Sequence, residues 1–472
     1  MINVKGISKK ALLFVIVLSS FNAGAIEFSS YARPFTADSL WNSVPVSPTF
    51  SNYIIPDSLY NPTANTPAFS ASCFYADASD AAMTIKVGPG YGGIHDRDAE
   101  KMVSELTIPH WPANVIPATG SDGHADVIDV DNKVIHSFYK LKLINGEWTS
   151  LLYAWAPLDG RGWGDPAHFY QGGRAVGIPA CAGMIRVHEV NDGDVMFRHA
   201  LSMSLTYNGL SSSPGYTYPS TAADLNLASN TGQIPEGALL MLPANFDLSK
   251  IRTPFLKKIA NTLKTYGAYV VDRNYGTPYV IYSEIGAATQ STGSAYYEHT
   301  LIQKALRMVT SVQSWVDGNG NNFTDKRNLN VLSMRGPWAR GFNYQADSDA
   351  CINSCGMLGN FNSYQQAVVF ESSDETIIQS NYSGRSITHV SWARPKKGEN
   401  FKLSANTTGG GKLRLTIRDP QKNDLIVYDS GYLSDGQSAI FSWPIDDFEI
   451  TTIISSGVGE PSSVSGSLVR IE

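Results

Sequence analysis

The sequence predicts a mainly β protein: a β-rich N-terminal domain, sandwich or jelly-roll-like, with a packed helix, followed by a small C-terminal β-sandwich. Three observations predict it. Charged residues are only 17% of the 472-residue chain, whereas Gly numbers 41 and the rings comprise 23 Tyr, 19 Phe and 9 Trp, a composition suited to short strands joined by turns. Helical periodicity is absent over most of the length. The tail alternates at period two, with Leu413, Leu415 and Ile417 set between Lys412, Arg414 and Thr416.

The chain opens with Lys5, Lys9 and Lys10, a short apolar run from Ala11 to Leu18, and the small residues Ala23-Gly24-Ala25. This order is that of a secretory leader cut after Ala25, placing the mature chain in the periplasm or outside the cell. The run is too short to span about 30 Å of hydrocarbon, and no later stretch reads as a transmembrane helix.

From 26 to 290, strand-like runs at Ala125 to Val130, Lys133 to Leu143, Ser150 to Ala156, Met184 to His188, Val195 to Thr206 and Tyr269 to Val271 define the expected catalytic domain. Its one amphipathic helix is expected over Leu248 to Tyr266, capped by Asp247, with Phe255, Ile259, Leu263 and Tyr266 on one stripe. Gly267 ends it, and a buried strand runs on to Asp272. From 291 to 364 a second helix, Tyr297 to Val316, and a loop form a connector. Asp317, Asn319, Asn321 and Asp325 offer oxygens for a structural calcium, although Asn322 stands where an EF-hand requires Gly. From 365 to 472 the strands Leu425 to Tyr428, Ala439 to Trp443, Phe448 to Ile454 and Val464 to Val469 complete an accessory sandwich.

The net charge of −6 and the scattered basic residues argue against nucleic acid as a partner. Of the four cysteines, Cys351 and Cys355 are close enough in sequence to close a small loop, leaving Cys73 and Cys181 as a long-range disulfide pair, though three pairings are open. No cofactor is expected: GxSxG, HExxH and the Walker loop are all absent.

Three clusters carry candidate chemistry. On a strand, His124 and Asp126 share one face and suit a base with an orienting carboxylate; Asp129 and Asp131 read as turn acids. A strand through Arg186 and His188 ends at Glu189, and a turn at Asp192-Gly193 brings back Arg198 and His199, setting His199 within a few residues of Glu189 or its neighbour. The loop around Asp165 and His168 offers Arg161 and Trp163 to a substrate, with Trp155 and Tyr216 as further sugar platforms.

The stretches Asp122-Gly123-His124, Ala182-Gly183-Met184-Ile185-Arg186 with Glu189, Arg198-His199-Ala200-Leu201, Gly237-Ala238-Leu239-Leu240 and Tyr266 to Asp272 resemble a group of secreted bacterial and fungal proteins often joined to carbohydrate-binding or immunoglobulin-like modules. Ala182 replaces a Gly common in that group. The resemblance implies a shared β-rich core over about Leu40 to Tyr282 and carries no established reaction.

Together these features lead to the expectation of an enzyme that degrades an extracellular or cell-envelope polysaccharide. A glycoside hydrolase would use two carboxylates among Asp126, Glu189 and Asp272. A polysaccharide lyase would neutralise a uronate with Arg186 or Arg198 and take its proton with His124 or His199. A third reading is a glycan-binding or matrix protein without catalysis.

Overall fold

A computed structural model describes residues 27–64, 68–287, 293–335, 338, 359–381 and 386–471. The expected leader with its cut after Ala25, and Cys351 and Cys355, lie outside these residues. The described chain is 35% strand and 9% helix, arranged in several sheets of which none closes.

A seven-stranded sheet and a six-stranded sheet form the middle of the N-terminal part. The first runs Thr49–Phe50, Arg307–Ser311, Leu239–Met241, Ala268–Asn274, Leu201–Thr206, Tyr279–Ile281, Thr63–Ala64. The second runs Cys73–Ala76, Ala125–Asp129, Val134–Tyr139, Leu152–Pro157, Ile94–Asp96, Lys101–Val103. Alternation along the strands divides the cores. Val270, Leu201, Met203 and Ile281 face the helices, whereas Tyr269 and Val271 face inward with Ile128, Ile135, Trp41 and Trp163. Val127, Phe138 and Tyr153 face the opposite way, onto Ile85 and Ile108 of a four-stranded sheet. The result is sandwich-like, with parallel pairs mixed into antiparallel ones, as at Cys73–Ala76 with Ala125–Asp129 and Leu201–Thr206 with Ala268–Asn274. A jelly roll is antiparallel throughout.

The expected helix is split. Asp247 caps a short 3₁₀ turn, Leu248–Lys250, by accepting from the Ser249 amide at 3.0 Å. Helix α1 then starts at Pro254 and ends at Thr265, because proline suits a first helical position and breaks an interior one. Leu256, Ile259, Ala260 and Leu263 are buried on the sheet, and Gly267, at φ +79°, turns the chain into its central strand. Helix α2, Gly293–Ala305, is shorter than expected. The β-branched run beyond it becomes the strands Arg307–Ser311 and Ser314–Val316, which pair with Leu239–Met241 and Val44–Val46. This stretch therefore belongs to the N-terminal sheets.

The C-terminal part is two sheets of five and four strands around Phe401, Leu403, Leu413, Leu415, Ile417, Trp443 and Leu468. Every strand expected there is present, and isolated bridges from Asn330 to Val469 and from Leu332 to Ile387 bring the preceding segment onto it.

Trp163 lies in the inward core, 6% exposed, its ring 4.8 Å from that of Trp41 and 5° from parallel, with Tyr269 edge-on to both. It is a packing residue and no platform for sugar. Trp163→Ala should therefore cost roughly 3–5 kcal/mol in chemical denaturation, whereas a surface platform would change stability by well under 1 kcal/mol.

Candidate functional site

Where the ends of the two middle sheets meet, an open cleft of about 770 Å³ is lined by polar side chains from both. The six-stranded sheet and the loops beside it supply His95, Arg97, Asp122, His124 and Tyr139; the central strand of the other sheet supplies Asp272 and Arg273; loops add Tyr170, Arg174, Asp224 and Leu225. Of the five expected catalytic residues, His124 and Asp272 are brought together here.

Asp272 is aimed by a bulge. Met203 pairs with Val270 but Ser204 pairs with Asp272, so Val271 is an extra residue on the central strand. Strict alternation would put Asp272 on the helix side with Val270. With the bulge, it reaches Tyr282, a member of the inward core, whose hydroxyl donates at 3.3 Å. The Asp224 carboxyl hydrogen-bonds Asp272 directly, and the Arg273 amide lies 2.7 Å from Asp224 and 3.2 Å from Asp272. Two carboxyls in such contact oppose simultaneous ionisation. Burial first, and the Asp224 charge second, raise Asp272 to about 7 against the pull of Arg174. Burial also raises Asp224 and, behind it, Glu236, whose carboxylate accepts from the Asp224 amide at 3.1 Å.

Arg174 is 1% exposed, stacks 3.8 Å over the Tyr282 ring and donates to Asp272 at 3.2 Å. Among the described residues its Nε and Nη2 have no acceptor. Beside it, the His124 ring bonds the Phe138 carbonyl while its Nδ1 has no partner among the described residues, and burial lowers its pKa to about 3. His124 is thus a neutral imidazole. With Nδ1 unpartnered, Nε2–H is the group that meets the carbonyl, which leaves the Nδ1 lone pair as an acceptor.

The other sequence candidates serve structure. Asp126 does not share a face with His124, because the strand begins only at Ala125. Its carboxylate is fully buried and accepts from Ser137 Oγ and the Cys181 amide, both at 2.7 Å, and Ser137 Oγ in turn accepts from the Gly173 amide at 3.1 Å. Asp126 therefore fastens both ends of the loop bearing Arg174. Cys73 and Cys181 meet here as expected, but as free thiols; their mutual hydrogen bond, then burial, hold the Cys181 thiol well above its usual range.

Glu189 and His199 do meet, at 3.2 Å, but away from the cleft lining. Val187–Glu189 is a 3₁₀ turn and no strand, and the Glu189 carboxylate also caps the Arg186 amide at 2.9 Å. Burial opposes ionisation of Glu189, yet His199 and these bonds win and hold it at about 2. Such a carboxylate is a fixed ion-pair partner and a poor proton donor. Arg186 is buried against Glu284 and Tyr31, Arg198 pairs with Asp194, and Arg161 is held between Asp38 and Asp325. Trp155 is 8% exposed beneath Tyr364, while half-buried Tyr216 bridges to Glu236 through the backbone and bonds Ser391.

The calcium set is dispersed. Asp317 accepts from the Asn319 and Asn321 amides of its own loop, and Asp325 turns to Arg161 and the Tyr218 hydroxyl. Among the described residues no three His, Cys, Asp or Glu side chains gather as a metal site requires, and no helix is long and apolar enough to cross a membrane.

No family model matches the chain, and no curated protein matches it. Solved structures match over limited stretches. A glycosylation-associated protein complex from Streptococcus agalactiae is 16% identical over 28% of this chain, with a TM-score of 0.19, and the match spans 44% of that chain. An accessory secretory protein 1, 2 and 3 structure from Streptococcus pneumoniae is 14% identical over 29% of this chain and 96% of its own, also at 0.19. A family 16 carbohydrate-binding module is 8% identical over 28% and 85%, at 0.16. At these scores the likenesses assign neither fold nor function.

Because Asp272 binds its proton more tightly folded than unfolded, its contribution to stability is present below the unfolded value of about 4 and is lost as pH rises to about 7. Asp272→Asn keeps a neutral side chain at every pH. In thermal melts the variant should gain on the wild type by roughly 1–3 kcal/mol between about pH 5 and pH 8; parallel pH profiles would show that Asp272 titrates normally.

Proposed function

We propose that this protein is an extracytoplasmic enzyme that binds and cleaves a polysaccharide in the cleft, with Asp272 as general acid. The observation that carries the reading is the meeting of Asp272, Asp224, Asp122 and Arg174 in the lining of one open polar cleft, where burial and the Asp224 charge raise the Asp272 carboxyl. A glycosidic oxygen leaving group needs such an acid. Asp224, in direct contact with Asp272, sets its proton affinity and is too close to flank a sugar bond opposite it. The opposing carboxylate in this proposal is Asp122, which lines the same cleft and acts as base or nucleophile. Tyr139 gives the cleft a ring for sugar, and the leader-like start supports export.

Arg174 favours a second reading, a lyase acting on a uronate. In that reading the Arg174 guanidinium, part of the cleft lining, neutralises the sugar carboxylate, a protonated Asp272 donates to it, and the uronate's charge raises the low proton affinity of the buried His124 ring so that it takes the proton.

The experiment is to incubate the mature protein with neutral and uronate polysaccharides and follow reducing ends together with absorbance near about 235 nm. The hydrolase gives reducing ends alone, with turnover falling above about pH 7, and Asp272→Asn and Asp122→Asn each lower it by about 10²-fold or more. The lyase gives both signals and loses turnover in His124→Ala. Asp126→Ala would act through stability, and Glu189→Ala would leave turnover by the folded fraction intact. Binding of a glycan without either signal would refute both catalytic readings.

A further inference from the structure

The short stretch from His95 to Glu100 is shared between two parts of the molecule. His95, Arg97 and Glu100 line the cleft, whereas Asp96 and Asp98 are buried and turn the other way. What they turn toward is the hairpin joining Gly359–Asn362 to Ala367–Phe370, an outer hairpin of the C-terminal five-stranded sheet. Ser363 Oγ donates to Asp96 at 3.4 Å, and Gln366 Nε2 donates to Asp98 and to the Ser363 carbonyl. Tyr364 of the same turn stacks on Trp155, 5.2 Å between ring centres, and its hydroxyl bonds that of Tyr153, which also meets His136 at 2.9 Å.

A second grip lies alongside. The Arg335 guanidinium is 3.7 Å from Glu100 and stacks 3.9 Å over Phe169, while Arg97 stacks 3.8 Å over the next ring, Tyr170, on the cleft side. Of these two consecutive rings, Phe169 takes Arg335 from the segment leading into the C-terminal sheets, and Tyr170 takes Arg97 from the cleft wall with Arg335 5.9 Å away.

We propose that the Ser363–Gln366 turn of the C-terminal sheets is a positioning element of the cleft: by holding Asp96 and Asp98 it fixes the backbone from which His95 and Arg97 reach the ligand. The C-terminal part is then a working component of the site and not a detachable spacer. Gln366 and Ser363 are positioning residues; neither touches the ligand. The ligand side of this inference rests on the glycan reading above, but the structural side does not.

The test uses the full mature chain. In Gln366→Ala, hydrogen exchange should accelerate tenfold or more for amides 94–103 and stay unchanged in 201–206 and 268–274. Ser363→Ala should do the same to a smaller extent and serves if the first variant folds poorly. Asp429→Ala, which removes an exposed pair with Arg414 in the same C-terminal part, should leave 94–103 protected. On whichever polysaccharide the wild type cleaves, Gln366→Ala should raise KM several-fold while kcat stays within about twofold, because binding residues shift and Asp272 does not. Unchanged protection of 94–103 in both turn variants overturns the proposal, whether or not any glycan is cleaved. Accelerated exchange with KM unmoved overturns the claim that this wall positions the ligand. Should no glycan be cleaved, the exchange measurement alone decides.

Discussion

The arrangement of the cleft depends on the contact between the Asp224 and Asp272 carboxyls. The charge of the first raises the cost of ionising the second, and neither side chain is free to leave. Asp272 is fixed by the bulge, Arg174 and Tyr282, and Asp224 by the Arg273 amide. Glu236 adds a further carboxyl behind the pair, so relief by ionisation is blocked on that side too. Arg174 offsets the accumulated negative charge with one donor and keeps two others uncommitted.

Around this pair the scaffold is built in tiers. Arg174 is buried yet under-bonded, an arrangement that persists only if its loop is held elsewhere. The buried Asp126 carboxylate does this through Ser137 to Gly173 and directly to Cys181. A similar division runs along His95 to Glu100, where alternate side chains face the cleft and the C-terminal turn. In both places a carboxylate that sequence reasoning associates with catalysis or solvent is spent on orienting its neighbours.

Much of the fold was legible because it follows from local pattern. The tail strands announced themselves by alternation, and the apolar run Tyr269 to Val271 could only be a buried strand ending in an acid at its mouth, which is why Asp272 stood out. His124 was visible as a histidine entering a strand. What stayed hidden depends on distant contacts. Asp224 sits in an unremarkable loop, and nothing near it in sequence shows that Asp272 lies against it. The bulge at Val271 is invisible, since its evidence is a register with Leu201–Thr206. Trp163, in a Gly-rich loop, read as exposed; Trp41, far away in sequence, covers it. Glu189 and His199, expected within a few residues of each other, are in contact, but Glu189 also caps a 3₁₀ turn through the Arg186 amide and the pair lies away from the cleft lining.

The central claim is that one aspartate carboxyl titrates near neutrality. Labelling aspartate carboxyl carbons with ¹³C and following their shifts from about pH 4 to about pH 9 measures this directly. The account predicts a resonance with a midpoint at about 7 that disappears in Asp272→Asn. If every aspartate that titrates in this range did so below about pH 5, or if the neutral midpoint survived in that variant, the raised Asp272 carboxyl would not be there and the site would have to be assigned afresh.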